Sequence, residues 1–429
     1  MPLHSAIRIP HFRIFCPAIR ISSEAMIFLW ANKRDWRHPG PIVNIGLRNA
    51  YHLAEAGFET HFCLGAGPDS ETNQDLTKFY RLAPIPSLHI HRITRKGLVD
   101  LRRGRYQATT SRRIFSQVSH LAKQFLAEQP EPIIILTREP SLLPRLAWLR
   151  RRYGNRVRAF YEAHGYYADL SWKKTEGTRI KSSDLRQSWL ERLFLPRIDG
   201  VIGITNEQTR LYARQIPGLA CIYLPLGTEL YADPEKIEIE KRRTRRRLVY
   251  VGRLTQSKGL QSLLQSTSLL AAANIRLAFW GGNDAQGQKV KEMAHEFGSA
   301  QCIETLSSRS PEALAADLAT EVSAGLIPLE DDYYNRNLTC PAKGLDYLAH
   351  GLPTIASDLP STRGLLGSSG AARYVAAGDP NSFAQAAVAL LDDAKSYQAA
   401  TSAALVRAQE VSWKSRVSRL VEFVRATFR

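Results

Sequence analysis

The sequence predicts an α/β protein built from two doubly wound domains, each a parallel sheet covered by helices on both faces. Three observations predict it: two successive series of short apolar runs alternating with helix-like segments, glycines at the strand-to-helix turns, and a mixed-charge segment between the two series.

The first series opens with the apolar run Ala25 to Ala31. A loop with Pro39, Gly40 and Pro41 follows, then a helical pattern from Ile42 to Ala56, Gly57 as its stop, and a second strand from Phe58 to Leu64. Further runs at Ile133–Leu136, Arg158–Glu162, Gly200–Ile204 and Ile222–Leu224 continue the alternation. The second series passes through Arg247–Val251, Ile275–Trp280, Ala324–Pro328 and Pro353–Ala356 and ends in alanine-rich helices. These runs divide the chain into an extension (residues 1–25), a first domain (26–226), a linker (227–247), a second domain (248–410) and a last helix (411–429) that packs back on the first domain. The extension contributes no obvious element, and Met26 stands where a natural start would fall. The linker ends in Lys241-Arg242-Arg243-Thr244-Arg245-Arg246-Arg247, which reads as a solvated run or, alternatively, as a nucleic-acid patch.

A chain of 429 residues with 44% apolar content suits two or three globular domains and argues against disorder. The cysteines at 16, 63, 221, 302 and 340 form no CxxC pair and no metal-like Cys/His spacing, as expected in a reducing cytoplasm. No run approaches the roughly 20 apolar residues that span a bilayer, and no signal-peptide order opens the chain, so neither secretion nor integral insertion is expected. The formal charge of +18 is lopsided. Residues 1–226 carry 34 Lys+Arg against 18 Asp+Glu, a balance of +16, whereas residues 227–429 carry 24 against 22, or +2. The first half therefore faces an anionic partner or reflects a basic proteome. A nucleic-acid binder is not expected, because no aromatic-interleaved basic motif or recognition helix accompanies the charge.

The segment Val249-Tyr250-Val251-Gly252-Arg253-Leu254-Thr255-Gln256-Ser257-Lys258-Gly259 carries the strongest chemistry. A strand runs into a glycine turn with Arg253 and Lys258 at a helix entrance, where two cations suit a diphosphate whose negative charge grows as a bond to it breaks. Further along, Pro341-Ala342-Lys343 open a helix that Gly351 ends, and its free amides offer a second place for phosphate oxygens. Asp346, one turn in, is placed to reach ribose hydroxyls, or else is a solvated helix residue.

Together these segments resemble the retaining glycosyltransferases of glycosyltransferase family four (glycosyl transferases group 1), and the likeness spans most of residues 26–425. The resemblance implies the GT-B architecture, with two Rossmann-like domains facing a cleft. In the family pattern V-G-R-L-x-x-x-K-G, Arg253 and Lys258 hold the donor diphosphate beside Gly252. In the pattern P-x-K-x-x-E-Y-x-A-x-G-x-P, read here from Pro341 to Pro353, Asp346 stands for the ribose-binding glutamate. The family often places a histidine against the donor sugar; His164, in Tyr161-Glu162-Ala163-His164-Gly165, matches it, unless it is only a packed residue. Gly40 matches the place where family members bring backbone close to donor phosphate or acceptor, or is an ordinary turn glycine. The first glutamate of the common E-x7-E pair is replaced by Leu338, for which Glu330, Asp331 or Asp332 would substitute.

The resemblance implies a hexosyltransferase that takes a sugar from a nucleotide-diphosphate donor, most readily a UDP- or GDP-sugar. Transfer to a glycan or lipid-linked acceptor would proceed with retention and without cofactor or metal. A cytoplasmic enzyme is expected, peripheral at the inner face of the membrane, which its basic first half would touch through residues 92–113 and 142–158. Two rival readings are a catalytically silent scaffold that kept the fold, and a sugar-nucleotide epimerase.

Overall fold

The computed structural model describes residues 26–35, 42–65, 72–93, 103–254, 258–298 and 300–428; the extension 1–25 and Gly40 lie outside the described residues. Among the described residues thirteen strands are formed: β1 Ile27–Asp35, β2 Glu59–Gly65, β3 Leu88–Ile93, β4 Ile133–Thr137, β5 Val157–Ala163, β6 Gly200–Gly203, β7 Ala220–Tyr223, β8 Arg247–Val251, β9 Arg276–Trp280, β10 Ile303–Leu306, β11 Ala324–Ile327, β12 Thr354–Ser357 and β13 Ala372–Val375. They make two sheets, β3-β2-β1-β4-β5-β6-β7 and β10-β9-β8-β11-β12-β13. All the neighbouring pairs run parallel.

The predicted α/β class and the doubly wound parallel sheets are present. Burial explains which strands read clearly. The central β4 and β5 are wholly buried, as strands covered by helices on both faces must be, and apolar side chains dominate both, although β5 also holds Arg158 and Glu162. The strands absent from the sequence reading, β3, β10 and β13, are all sheet edges. Their sequences LHIHRI, IETL and ARYV are only partly buried, so polar residues interrupt the apolar run.

Both sheets reverse their order beside the first strand of the series, between β1 and β4 and between β8 and β11. In open parallel sheets such a reversal opens a crevice beyond the carboxyl ends of the strands. The loops after β8 and β11 carry the second domain's candidate residues to that place.

The chain crosses between the sheets twice, and the two crossings run side by side. The Thr228 N–H donates to the Val411 carbonyl (3.1 Å) and the Trp413 N–H to the Thr228 carbonyl (3.1 Å). Beyond Trp413 the helix Trp413–Ala426 buries Val417, Leu420, Val421 and Val424 against Phe28, Trp30 and Phe160 of the first sheet. Each such side chain contributes about 1.5–3 kcal/mol of burial.

The basic run at 241–247 is not a solvated linker. A short helix, Ile239–Thr244, precedes β8, and Arg242 inside it is buried, donating to the carbonyls of His350 (3.0 Å) and Ala319 (2.9 Å). These are carbonyls at the frayed ends of helices, which a guanidinium fork satisfies. Arg243, Arg246 and Arg247 pair with Glu240, Asp392 and Glu304, so most of the run's charge is spent within the domain. Among the described residues no helix is long and apolar enough to cross a membrane.

Candidate functional site

β8 ends in a turn at Gly252 (φ +134°), whose N–H donates to the Trp280 carbonyl (2.9 Å). The turn after β9 packs directly against it: a Cβ on Gly281 would stand 2.2 Å from the Gly252 oxygen, so no side chain fits there. Arg253 follows, exposed, its carbonyl accepting from the Tyr250 hydroxyl (2.8 Å). Lys258 re-enters beside Gly259 (φ +73°), where a Cβ would fall 1.5 Å from the Pro328 oxygen. That close approach pins the loop to the end of β11. Lys258 Nζ lies 3.5 Å from Asn335 Oδ1 and 6.0 Å from the ring centre of Tyr334.

The helix Ala342–Ala349 brings the third cation. Pro341 is its N-cap and supplies no capping side chain, so no N-cap hydrogen bond satisfies the amides of its first turn. Lys343 Nζ sits 3.5 Å from the centre of the Tyr250 ring, beside Gly252. Among the described residues, none of Arg253, Lys258 and Lys343 forms an ion pair with a carboxylate. Burial holds Lys258 below the usual lysine range, and Arg253 lowers it further against the pull of Asp332. Burial, then the charge of Lys258, drives Lys343 well below that range. Crowded, half-buried cations without a counter-ion are costly unless an anion completes the site.

Asp346 lies one turn after Lys343 on the same helix. Its carboxyl has no hydrogen bond or ion pair among the described residues, and burial pushes it up to about 7. Glu330, after β11, is likewise without a side-chain partner there, raised by burial and by Asp332. Its neighbours are engaged: Asp331 pairs with Arg336, and Asp332 caps the helix Tyr333–Asn337. Leu338 is 1% exposed and joins the apolar cluster of the first domain beside Tyr166 and Ala168. The position of the family's first glutamate is therefore a packing contact between the domains.

His164 follows β5 in the first domain, its Nε2 2.6 Å from Glu162 Oε1. Burial alone would raise the Glu162 carboxyl, but Arg416, His164 and Arg138 outweigh it and hold it at about 2. Glu162 is thus an acceptor, the His164 Nε2–H donates to it, and Nδ1 carries the free lone pair. Burial and Arg138 keep His164 below the usual histidine range despite Glu162, so the ring is neutral at pH 7. The loop after it is fixed by buried groups: the Tyr167 N–H donates to Glu191 (2.9 Å), and the Gly165 carbonyl accepts from Gln208 (2.8 Å) and Tyr212 (3.0 Å). It then reaches the second domain, where Trp172 stacks on Tyr333 (centroids 4.9 Å apart) and the Tyr333 N–H donates to Glu176 (3.3 Å).

The structure therefore groups Gly252, Arg253, Lys258, Pro341, Ala342 and Lys343 around one turn. Asp346 stands a helical turn away, and His164 lies on the facing domain. Sequence reasoning missed Tyr250, Tyr334 and Asn335, which line the cations, and the Arg416–Glu162 pair that orients His164. Glu162 did carry a signal, being with Arg158 one of two charged residues in a strand of apolar side chains.

Solved structures share the two-domain fold over nearly the whole chain. Sucrose-phosphate synthase from Thermosynechococcus elongatus aligns with a TM-score of 0.66 at 16% identity, covering 94% of this chain and 99% of that one. HepE from Anabaena, in complex with UDP and glucose, aligns with a TM-score of 0.62 at 13% identity, covering 93% and 98%. The fold is GT-B. The second GT-B domain is also recognisable by sequence, since residues 245–393 match the family Glycosyl transferases group 1. A D-inositol 3-phosphate glycosyltransferase of Corynebacterium urealyticum is 28% identical over 194 residues, or 41% of this GT-B chain. That match spans 42% of the relative's own length.

Proposed function

We propose that the chain is a retaining hexosyltransferase that moves a sugar from a UDP- or GDP-sugar to a glycan or lipid-linked acceptor. One observation carries the reading: Arg253, Lys258 and Lys343 meet at the end of β8 and an uncapped helix start, and among the described residues none of them forms an ion pair with a carboxylate. A diphosphate fits that vacancy of charge, and the group 1 match over the same residues supports it.

In the proposed reaction the bond from the sugar C1 to the diphosphate oxygen breaks while the acceptor oxygen bonds to C1 on the same face. The departing phosphate oxygen takes the acceptor's proton. The three cations stabilise the charge that develops on the diphosphate, so the transfer needs no divalent ion. The neutral His164 accepts a hydrogen bond from a sugar hydroxyl at Nδ1, Asp346 accepts from the ribose, and Glu330 takes the sugar contacts that Leu338 cannot make. A thermal-shift screen of UDP, GDP, ADP and their sugar conjugates in EDTA tests the reading. A selective rise in Tm, lost in Lys258→Ala and Lys343→Ala, is expected; no shift with any nucleotide would leave a silent scaffold.

Donor affinity should follow a bell-shaped pH profile. Asp346 is raised to about 7, so its accepting form fills in as pH rises through 7. Lys343 is lowered, so its cation is lost on the alkaline side before an ordinary lysine would lose it. Titration of donor affinity by calorimetry checks this, and Asp346→Asn should flatten the acidic limb alone. An acidic limb unchanged in that variant would remove Asp346 from the site.

The acceptor side is assigned to the basic first half. Exposed Trp148, Leu185 and Trp189 there stand with Arg151, Lys174 and Arg186 and are suited to an anionic membrane surface. Flotation with anionic liposomes at low salt should carry the protein up, and its remaining at the bottom of the gradient would rule the surface out.

A further inference from the structure

Far from the cleft, β2 and β3 collect four side chains with metal-binding chemistry on one face of the first sheet. Glu59 and His61 stand two apart on β2, His89 and His91 two apart on β3, and the register pairs His61 with His89. With a side-chain period of two, all four point to the same face. There His61 packs against Phe125 of the helix Arg103–Glu128, with ring centres 4.7 Å apart. Glu59 opens β2, so the cluster sits toward the amino ends of the strands, opposite the proposed donor site.

The ligand atoms already converge. Glu59 Oε1 lies 3.2 Å from His61 Nε2 and 2.9 Å from His89 Nε2, and one ligand atom from each residue falls within 4.8 Å of the others. Separations near 3 Å approach the edge of a tetrahedron with metal–ligand bonds of about 2.0–2.2 Å. Behind them, His61 Nδ1 is 2.8 Å from His91 Nε2. The Glu59 and His89 side chains are 45% and 44% exposed while that of His61 is 7% exposed, which leaves one coordination position open to solvent.

We propose that Glu59, His61 and His89 bind one Zn2+ ion at the edge of the first sheet, with a water as fourth ligand and His91 as the residue that positions His61. Two imidazoles and one carboxylate suit Zn2+, whereas Mg2+ and Ca2+ take oxygen ligands. With His61 bound through Nε2, its proton moves to Nδ1 and is donated to His91, which fixes the ring as outer partners of metal-bound histidines do. The ion clamps β3, which stands at the edge of the described sheet beside β2, to the body of the domain. It has no part in the transfer reaction.

Chelator-treated, untagged protein titrated with ZnCl2 by calorimetry is expected to bind one equivalent, and Co2+ to give the visible absorption bands of a tetrahedral site. Glu59→Gln and His89→Ala, both at exposed positions, should each weaken Zn2+ at least about 10-fold, and His91→Gln about 10- to 100-fold. His120→Ala, on an exposed turn of the neighbouring helix, should leave binding unchanged. Either no saturable Zn2+ binding by the parent protein or unaltered binding in a Glu59→Gln/His89→Ala double variant overturns the site. Because UDP or GDP binding is read separately, its failure would not touch this result.

Discussion

Replacing Lys258 or Arg253 with alanine is expected to lower kcat/KM for the nucleotide-sugar donor by about 100- to 1,000-fold, with most of the loss in kcat. The magnitude is that of removing one preorganised group from developing negative charge, roughly 3–4 kcal/mol of transition-state stabilisation. Both cations stand at the turn after β8, and the burial that pulls Lys258 below its usual range also excludes the water that would otherwise screen it. The opposite effect is expected on stability. Without a ligand Lys258 and Lys343 repel each other, so Lys343→Met should raise Tm while weakening the donor. Steady-state kinetics and melting curves on the same preparations check both statements. Losses below about threefold in both alanine variants would show that the cations are not at the reacting diphosphate.

Arg416→Met should destabilise the folded protein by about 3–5 kcal/mol, the range for stripping one partner from a buried ion pair. The Arg416 guanidinium is 2% exposed and donates to Glu162, to Asn49 (2.9 Å) and to the carbonyls of Leu224 and Pro225. Glu162 is wholly buried, so its charge would be left to His164 and Arg138. The variant should also lose turnover, because Glu162 fixes the tautomer and position of His164. Urea denaturation of Arg416→Met, of Glu162→Gln and of the double variant separates the effects. The double variant should recover part of the loss, and a cost under about 1 kcal/mol for Arg416→Met would mean the pair is not structurally important.

The class of fold was legible because its central strands obey a simple rule: Ile27–Ala31, Ile133–Leu136, Leu248–Tyr250 and Ala324–Ile327 are buried apolar runs, and β5 keeps the pattern around Arg158 and Glu162. The edge strands obey a different one, and β3, with two histidines and an arginine in six residues, looks like a loop until its partner is known. The run at 241–247 misled for a similar reason. Arg242 is buried by carbonyls that lie about 80 to 110 positions away in sequence, and no local pattern announces them. At the site, the residues that share a short segment were readable as a group, namely Gly252 to Lys258 and Pro341 to Asp346. Those that meet only through folding were not, as with Tyr334 above Lys258, Arg416 against Glu162, and the histidines of β2 and β3. Leu338 shows the limit of pattern matching, since the sequence marks only that a leucine stands in the glutamate position and not that it packs in the apolar cluster of the first domain.

The side-by-side crossings at Thr228 and Trp413 mean that the gene order of the two halves is not their mechanical order. A fragment ending at residue 226 would carry the seven described strands of the first sheet but would uncover Phe160 and the outer side of the helix Ile42–Glu55, because the helix that packs on them is encoded after the second domain. The halves therefore cannot be handled as separate beads on a string. A first half prepared alone should be insoluble unless residues 413–428 are grafted to its end, whereas a cut within the short stretch between Leu226 and Thr228 in the full-length protein should leave the two pieces held together.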